Sequence, residues 1–254
     1  MFPLLCDVRQ GGGLSPYLFA VYIDDVIDQV ESTNVGCVLL SVPMCIILYA
    51  DDILLIAPSV SALQELFIAC QLELRSLDLQ INFDKSVCLR IGPRFNNNCG
   101  SICTVDGKLV SWVTCIRYLG VYIVSGRQFK CSFNNAKRKF YGAFNAIYGK
   151  VGRIASEEVI LNLISSKCLP CLLYGSEVCP INRSEMKSLA FPVMRILFKV
   201  FKTALIDVVR ECQYYFNFYD VDELVRRRKV RFANNYLHSD NFLCQTVSKL
   251  FVDC

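Results

Sequence analysis

The sequence has 254 residues, 54% of them hydrophobic and 20% charged, a balance that supports a buried core and excludes an intrinsically disordered chain. A net charge of +4 is too small to mark a polyanion binder by itself, so a nucleic-acid reading must rest on where the positive charge sits. Fifteen cysteines at irregular spacing follow a start, Met1-Phe2-Pro3-Leu4-Leu5-Cys6, that lacks a basic or long apolar region; this argues for reduced thiols in a cytoplasmic or nuclear protein and against a secreted disulfide scaffold.

Leu14 to Val30 carries Leu18, Tyr22, Val26 and Val30 at helical spacing, flanked by Phe19, Ile23 and Ile27, which predicts a helix with a wide apolar face. Ser15 and Pro16 read as its cap and first helical residue. Asp24, Asp25 and Asp28 fall on the other face. The apolar stretch 35–50 is interrupted by Gly36, Ser41 and Pro43 and is shorter than the about 20 apolar residues that a bilayer needs. Buried strands are expected there and no membrane partner.

Met44 to Leu48 and Ile53 to Ala57 read as two largely buried strands on either side of Tyr49-Ala50-Asp51-Asp52, a hairpin. Ser59 to Leu77 spaces Leu63, Leu66, Phe67, Cys70 and Leu74 as a helix, with Ser59 or Ser61 as cap. Short strands are predicted around Val87 to Ile91, Ile102 to Val105, Leu109 to Val113 and Tyr118 to Val124. Beyond about Gly126 helical runs take over, at Phe133 to Val151, Ser156 to Leu173, Arg183 to Thr203 and Val221 to Asn241. The expected fold is α+β, with domains at 1–125 and 126–254.

Adjacent carboxylates at a hairpin tip repel each other, and a divalent cation relieves that conflict. Two carboxylate-bridged Mg²⁺ ions can activate a 3′-hydroxyl and stabilise a leaving pyrophosphate. Asp51 and Asp52 alone would be an ordinary exposed turn. Tyr22-Ile23-Asp24-Asp25 repeats the pattern, but its neighbours follow helical spacing, so it is read as solvated helix face. Cys168-Leu169-Pro170-Cys171 is the only CxxC, and one histidine in the chain leaves it without a second ligand pair at zinc-finger spacing. Two buried thiols are expected.

The hairpin has ordered company. Val8-Arg9-Gln10-Gly11-Gly12-Gly13-Leu14-Ser15-Pro16-Tyr17-Leu18-Phe19 resembles the segment ahead of the catalytic hairpin in reverse transcriptases of non-LTR, LINE-like retrotransposons, and Leu48-Tyr49-Ala50-Asp51-Asp52 resembles that hairpin. Leu79 to Ser86 and Tyr118-Leu119-Gly120 are similar to the next two family elements in order. The resemblance implies a partial right-hand polymerase palm, an antiparallel sheet with helices, followed by an all-α thumb-like region that includes Leu172-Leu173-Tyr174-Gly175-Ser176-Glu177.

It also implies roles. Asp51 and Asp52 would be metal ligands and catalytic, with Tyr49 beneath the primer end. Arg9, Gln10 and Gly11 would contact the incoming nucleotide and the template base. Lys85 would protonate the leaving pyrophosphate, and Tyr118, Leu119 and Gly120 would form the primer grip. Partners would be an RNA template, a DNA primer and deoxynucleotides, with two Mg²⁺ ions in the complete enzyme. Lys137, Arg138, Lys139, Arg226, Arg227 and Arg228 could meet phosphates, with Tyr214, Tyr215, Phe216, Phe218 and Tyr219 near for stacking.

In the family a further Asp on a strand well upstream completes the metal site. This chain starts seven residues before Val8, and Asp7 adjoins the Arg-Gln-Gly loop too closely to replace it. The expectation is half a metal site and no activity from the chain alone. The alternative is a non-catalytic nucleic-acid-binding remnant of a retrotransposon.

Overall fold

A computed structural model describes residues 13–152 and 154–245, and within them the chain is α+β. Contacts group the described residues into two compact units. One runs to Arg90 and takes in Asn96–Val113; the other comprises Ile91–Phe95 and the residues from Thr114 onward. The described residues contain no helix long and apolar enough to cross a membrane.

The first unit opens with α1 (Ser15–Ser32). Leu14 takes the cap position, so Ser15 is the first helical residue and not the cap; Pro16 follows in the first turn, where its missing N–H has no intrahelical partner to lose. Ile23, Val26 and Val30 are buried and Phe19 and Ile27 pack beside them. The buried face is narrower than predicted, because Leu18 and Tyr22 are exposed together with Leu14, Tyr17 and Val21. Spacing alone cannot say how much of an apolar arc a neighbour covers.

After α1 the chain forms a two-residue ribbon, β1 (Val38–Leu39) with β2 (Val42–Pro43). The turn between them holds Leu40 and Ser41 at φ 49° and 66°. Val38 and Leu40 are exposed, so this part of 35–50 is not the buried strand pair expected. β3 (Ile46–Tyr49) and β4 (Asp52–Leu55) then pair antiparallel in the predicted hairpin. Directly opposed residues share a face. Ile46, Leu48, Ile53 and Leu55 therefore point one way, into a core shared with α1 and α2 (Val60–Ser76), while Ile47, Tyr49, Asp52 and Leu54 point the other. Only one face is covered, which is why the strands are half-buried and not largely buried as predicted.

Ser59 caps α2 as expected, its side chain accepting from the Ala62 N–H at 3.1 Å. Two glutamines of α2 tie down the strand region that follows. Gln64 exchanges two hydrogen bonds of 2.7 Å with the Cys103 backbone, and the buried Gln71 accepts from Val105 N–H at 2.9 Å. β5 (Val87–Leu89), β6 (Ile102–Cys103) and β7 (Leu109–Val113) form a sheet in the order β5-β7-β6. The expected all-antiparallel pattern fails here, since β5 runs parallel to β7. The connection carrying β6 is long enough for the crossover that parallel pairing requires.

The second unit opens with an antiparallel meander of β8 (Cys115–Tyr118), β9 (Val121–Val124) and β10 (Lys130–Ser132). The single strand predicted over Tyr118 to Val124 is thus cut by a turn at Leu119-Gly120. Helices follow: α3 (Asn134–Val151), α4 (Glu157–Leu163), α5 (Leu169–Leu172), α6 (Arg183–Val200), α7 (Ile206–Tyr215) and α8 (Val221–Leu237). The helix predicted over Ser156 to Leu173 is interrupted by a π turn at Ile164–Cys168. Pro170 supplies the reason, because it cannot donate to the Ser166 carbonyl and its ring crowds it, so the preceding turn widens. Asn182 and Glu185 form a reciprocal capping box on α6. Phe140, Phe144, Ile164, Leu172, Leu197 and Val209 are essentially inaccessible at the centre of this core.

Candidate functional site

The β3–β4 hairpin closes with Tyr49 opposite Asp52, leaving Ala50 and Asp51 as the loop. Ala50 adopts φ 52°, a left-handed conformation that costs a non-glycine residue about 1–2 kcal/mol. Tyr49, Asp51 and Asp52 are all exposed at this tip. Two carboxylates are therefore presented to solvent on a short, strained turn whose opposite face is anchored in the core. Carboxylate oxygens suit a hard divalent cation in kind. They fall short in number, since the described residues contain no cluster of three or more His, Cys, Asp or Glu able to hold a metal.

Of the other sequence-predicted residues, Lys85 lies exposed on the turn after Asn82, its N–H donating to the Asn82 carbonyl at 3.2 Å. Arg9, Gln10 and Gly11 lie outside the described residues. Asp24 and Asp25 are exposed and helical, within α1 and not in a hairpin.

In the second unit the Tyr118 to Gly120 segment forms a second two-residue turn. Tyr118 opposes Val121, and Leu119 and Gly120 stand at φ 45° and 83°, the pattern of a type I′ hairpin loop. A cleft of about 440 Å³ opens beside it, lined by Arg117, Gly120, Tyr122, Asn135, Lys139 and Tyr174 among others. Of the 137–139 basic run only Lys139 reaches this cleft. Lys137 Nζ donates to Ser188 Oγ at 2.8 Å, and Arg138 is bonded to the Asn135 side chain.

The basic run on α8 is largely matched by acids. Glu223 accepts from Arg226 twice, at 2.8 Å, and from Arg227 at 2.6 Å, and these bonds hold its carboxyl well below the usual range, at about 2. Arg228 pairs with Glu177 at 3.6 Å. Arg227 also lies 3.8 Å from the Tyr219 ring centroid. Tyr214 and Tyr215 are 80% and 79% exposed, whereas Phe218 is buried and Phe216 stacks on Phe201. Phe218 is therefore not available for stacking on a base, contrary to expectation, because it serves the core. The CxxC expectation also needs amending: Cys168 is buried, its thiol pushed up to about 11 by burial, but Cys171 is exposed.

Sequence reasoning missed Tyr174 as a contact of the Leu119-Gly120 turn and Gln64 and Gln71 as strand anchors. A glutamine within an apolar helical stripe is a readable signal for the latter. Nothing local in the sequence ties Tyr174 to residue 119.

Residues 2–123 match the family described as reverse transcriptase (RNA-dependent DNA polymerase). That stretch contains both the carboxylate hairpin and the Leu119-Gly120 turn, so the first half of the chain is similar to template-copying polymerases. A transposon-derived protein of Caenorhabditis elegans is 31% identical over 146 residues, covering 54% of this chain and 49% of that protein. The chain spans about half the length of this curated relative.

Proposed function

We propose that the chain is a fragment of an RNA-directed DNA polymerase of a non-LTR, LINE-like retrotransposon, with a palm portion at 1–125 and a thumb-like helical region at 126–254. The observation that carries this is the exposed Tyr49-Ala50-Asp51-Asp52 tip, held on a strained turn inside the stretch that matches the reverse transcriptase family. In this reading Asp51 and Asp52 bind Mg²⁺, which when present supplies charge stabilisation at the transferred phosphoryl group. Tyr49 supports the primer end, and Arg9, Gln10 and Gly11 meet nucleotide and template. Lys85 donates a proton to pyrophosphate, and Tyr118, Leu119 and Gly120 grip the primer. The partners are an RNA template, a DNA primer and deoxynucleotides.

The test is a chimera that joins this chain to the upstream half of a related polymerase. Primer extension by the chimera should fall by several orders of magnitude with Asp51→Asn, since an amide neither offsets the charge of a metal nor bridges two of them. Asp24→Asn on the solvated face of α1 should leave it nearly unchanged. If Asp24→Asn were as damaging as Asp51→Asn, the hairpin assignment would be wrong.

A second reading, nucleic-acid binding without catalysis, draws on the exposed Tyr214 and Tyr215 and on the cleft that Lys139 lines beside the Leu119-Gly120 turn. Binding of an RNA–DNA hybrid in EDTA, without any extension by the chimera, would select it.

A further inference from the structure

Leu119 is a poor residue for the place it occupies. A type I′ loop wants Asn, Asp or Gly at its first central position, and a γ-branched side chain at φ 45° persists only where its surroundings over-determine the backbone. One such contact is present in the second unit. The Tyr174 hydroxyl donates to the Leu119 carbonyl at 2.9 Å, and its ring lies so close to the turn that a Cβ on Gly120 would come 2.9 Å from Tyr174 Cε1. The next residue makes a matching approach. Gly175 stands at φ 76°, and a Cβ there would meet Val121 Cγ2 at 2.7 Å.

The far side of this corner is itself fixed. Ser176 is fully buried and donates to the Leu173 carbonyl at 2.7 Å, while Glu177 pairs with Arg228 of α8. A corner anchored in the helical core thus seats its Tyr and Gly against both central residues of the turn and the first residue of β9. Nothing in hairpin chemistry alone asks for a tyrosine 55 residues away.

We infer that Tyr174 and Gly175 are positioning residues that hold the Leu119-Gly120 turn in the conformation it presents to nucleic acid, with the Tyr174 hydroxyl as the principal brace. The inference rests on the proposed role of that turn in gripping a primer. It assigns the Leu172 to Glu177 segment a task distinct from packing, namely setting a contact surface on a hairpin elsewhere in the chain.

The test uses the 254-residue chain and two readouts. Hydrogen–deuterium exchange is followed on peptides spanning residues 118–122, and binding of a fluorescent RNA–DNA hybrid is followed by anisotropy. Tyr174→Phe keeps the ring and deletes the hydroxyl. Exchange at 118–122 should rise about five-fold, the factor one ordinary hydrogen bond is worth, with α6 peptides unchanged and hybrid binding weakened by a similar factor. Adding Leu119→Asn, which tolerates the left-handed region, should restore protection of the turn, a rescue that a general packing defect would not show. Gly175→Ala should loosen the turn further by pushing Val121 away.

Unchanged exchange at 118–122 in Tyr174→Phe overturns the inference. So does a loosened turn with undiminished hybrid binding. If the wild-type chain binds no hybrid while its turn still loosens in Tyr174→Phe, the brace stands and the primer-gripping role is what fails.

Discussion

Left-handed residues mark a hairpin tip in each unit, Ala50 in the first and Leu119 with Gly120 in the second. Relieving such strain without deleting a contact should stabilise the protein. Leu119→Asn is therefore expected to raise the urea midpoint, corresponding to about 1 kcal/mol; a lowered midpoint would mean that packing of the half-exposed leucine outweighs the strain of its backbone. The carboxylate pair was legible at this scale only through its company, since two acids in a turn are ordinary by themselves and it was the ordered family-like segments on either side that singled out Asp51 and Asp52. Leu119 was not, since a leucine in a predicted strand gives no warning that its φ is positive.

Among the elements, α8 shows how a basic sequence can be less basic in space. Arg226, Arg227 and Arg228 are each engaged by Glu223 or Glu177. Glu223→Gln should free two guanidinium groups, so hybrid affinity should rise at low salt and the dependence of log K on log salt should steepen by up to about two phosphate contacts. An unchanged slope would exclude α8 from the nucleic-acid surface. The same substitution has a defined pH signature. The Glu223 carboxyl titrates at about 2 when folded against an ordinary value of 4.5, so its stabilisation is present above about pH 4.5 and fades as pH falls toward 2. The stability gap between wild type and Glu223→Gln should be open at pH 7 and close across that window, and high salt should narrow it because the pair is solvent-exposed.

α7 (Ile206–Tyr215) was not among the expected helices, whereas most helix spans were readable from a local apolar period of 3.6 and the β3–β4 hairpin from two short continuous apolar runs either side of a polar turn. The parallel β5–β7 pairing was not, because it depends on how a connection of some twenty residues doubles back, and the π turn at Ile164–Cys168 was hidden in a continuous helical pattern whose one warning was Pro170. Gln64 and Gln71 within an apolar helical stripe signal that they have partners, but which backbone groups those are, Cys103 and Val105, was beyond a reading that treats each segment by itself.

At the scale of the whole chain the two units have separate cores, one built around α1, α2 and the strands packed on them, the other around Phe140, Phe144 and the helices. Cysteines are distributed through both. Burial pushes the Cys70 thiol up to about 12 and those of Cys88 and Cys168 to about 11, and it raises Cys45, Cys131 and Cys179 as well. Thiolate is then scarce at pH 8. Cys115 and Cys171, the two exposed cysteines among the described residues, should react rapidly with a disulfide reagent in the native protein, while those six buried thiols should react only on unfolding. Rapid reaction of all of them in native buffer would contradict the packing described here. The isolated chain is also expected to bind Mg²⁺ weakly and to extend no primer, which titration calorimetry and a primer-extension assay would check.

The outward stripe on α1 has a consequence for how the protein behaves as a colloid. Leu14, Tyr17, Leu18 and Val21 are 72%, 71%, 61% and 61% exposed and follow one another at helical spacing, so they form a contiguous greasy band, while a net charge of +4 supplies only weak repulsion between molecules. Purified protein should show a negative second virial coefficient in static light scattering at moderate salt. Exchanging two members of the band, Leu18→Glu with Val21→Lys, leaves net charge and buried core untouched and should move that coefficient toward positive values.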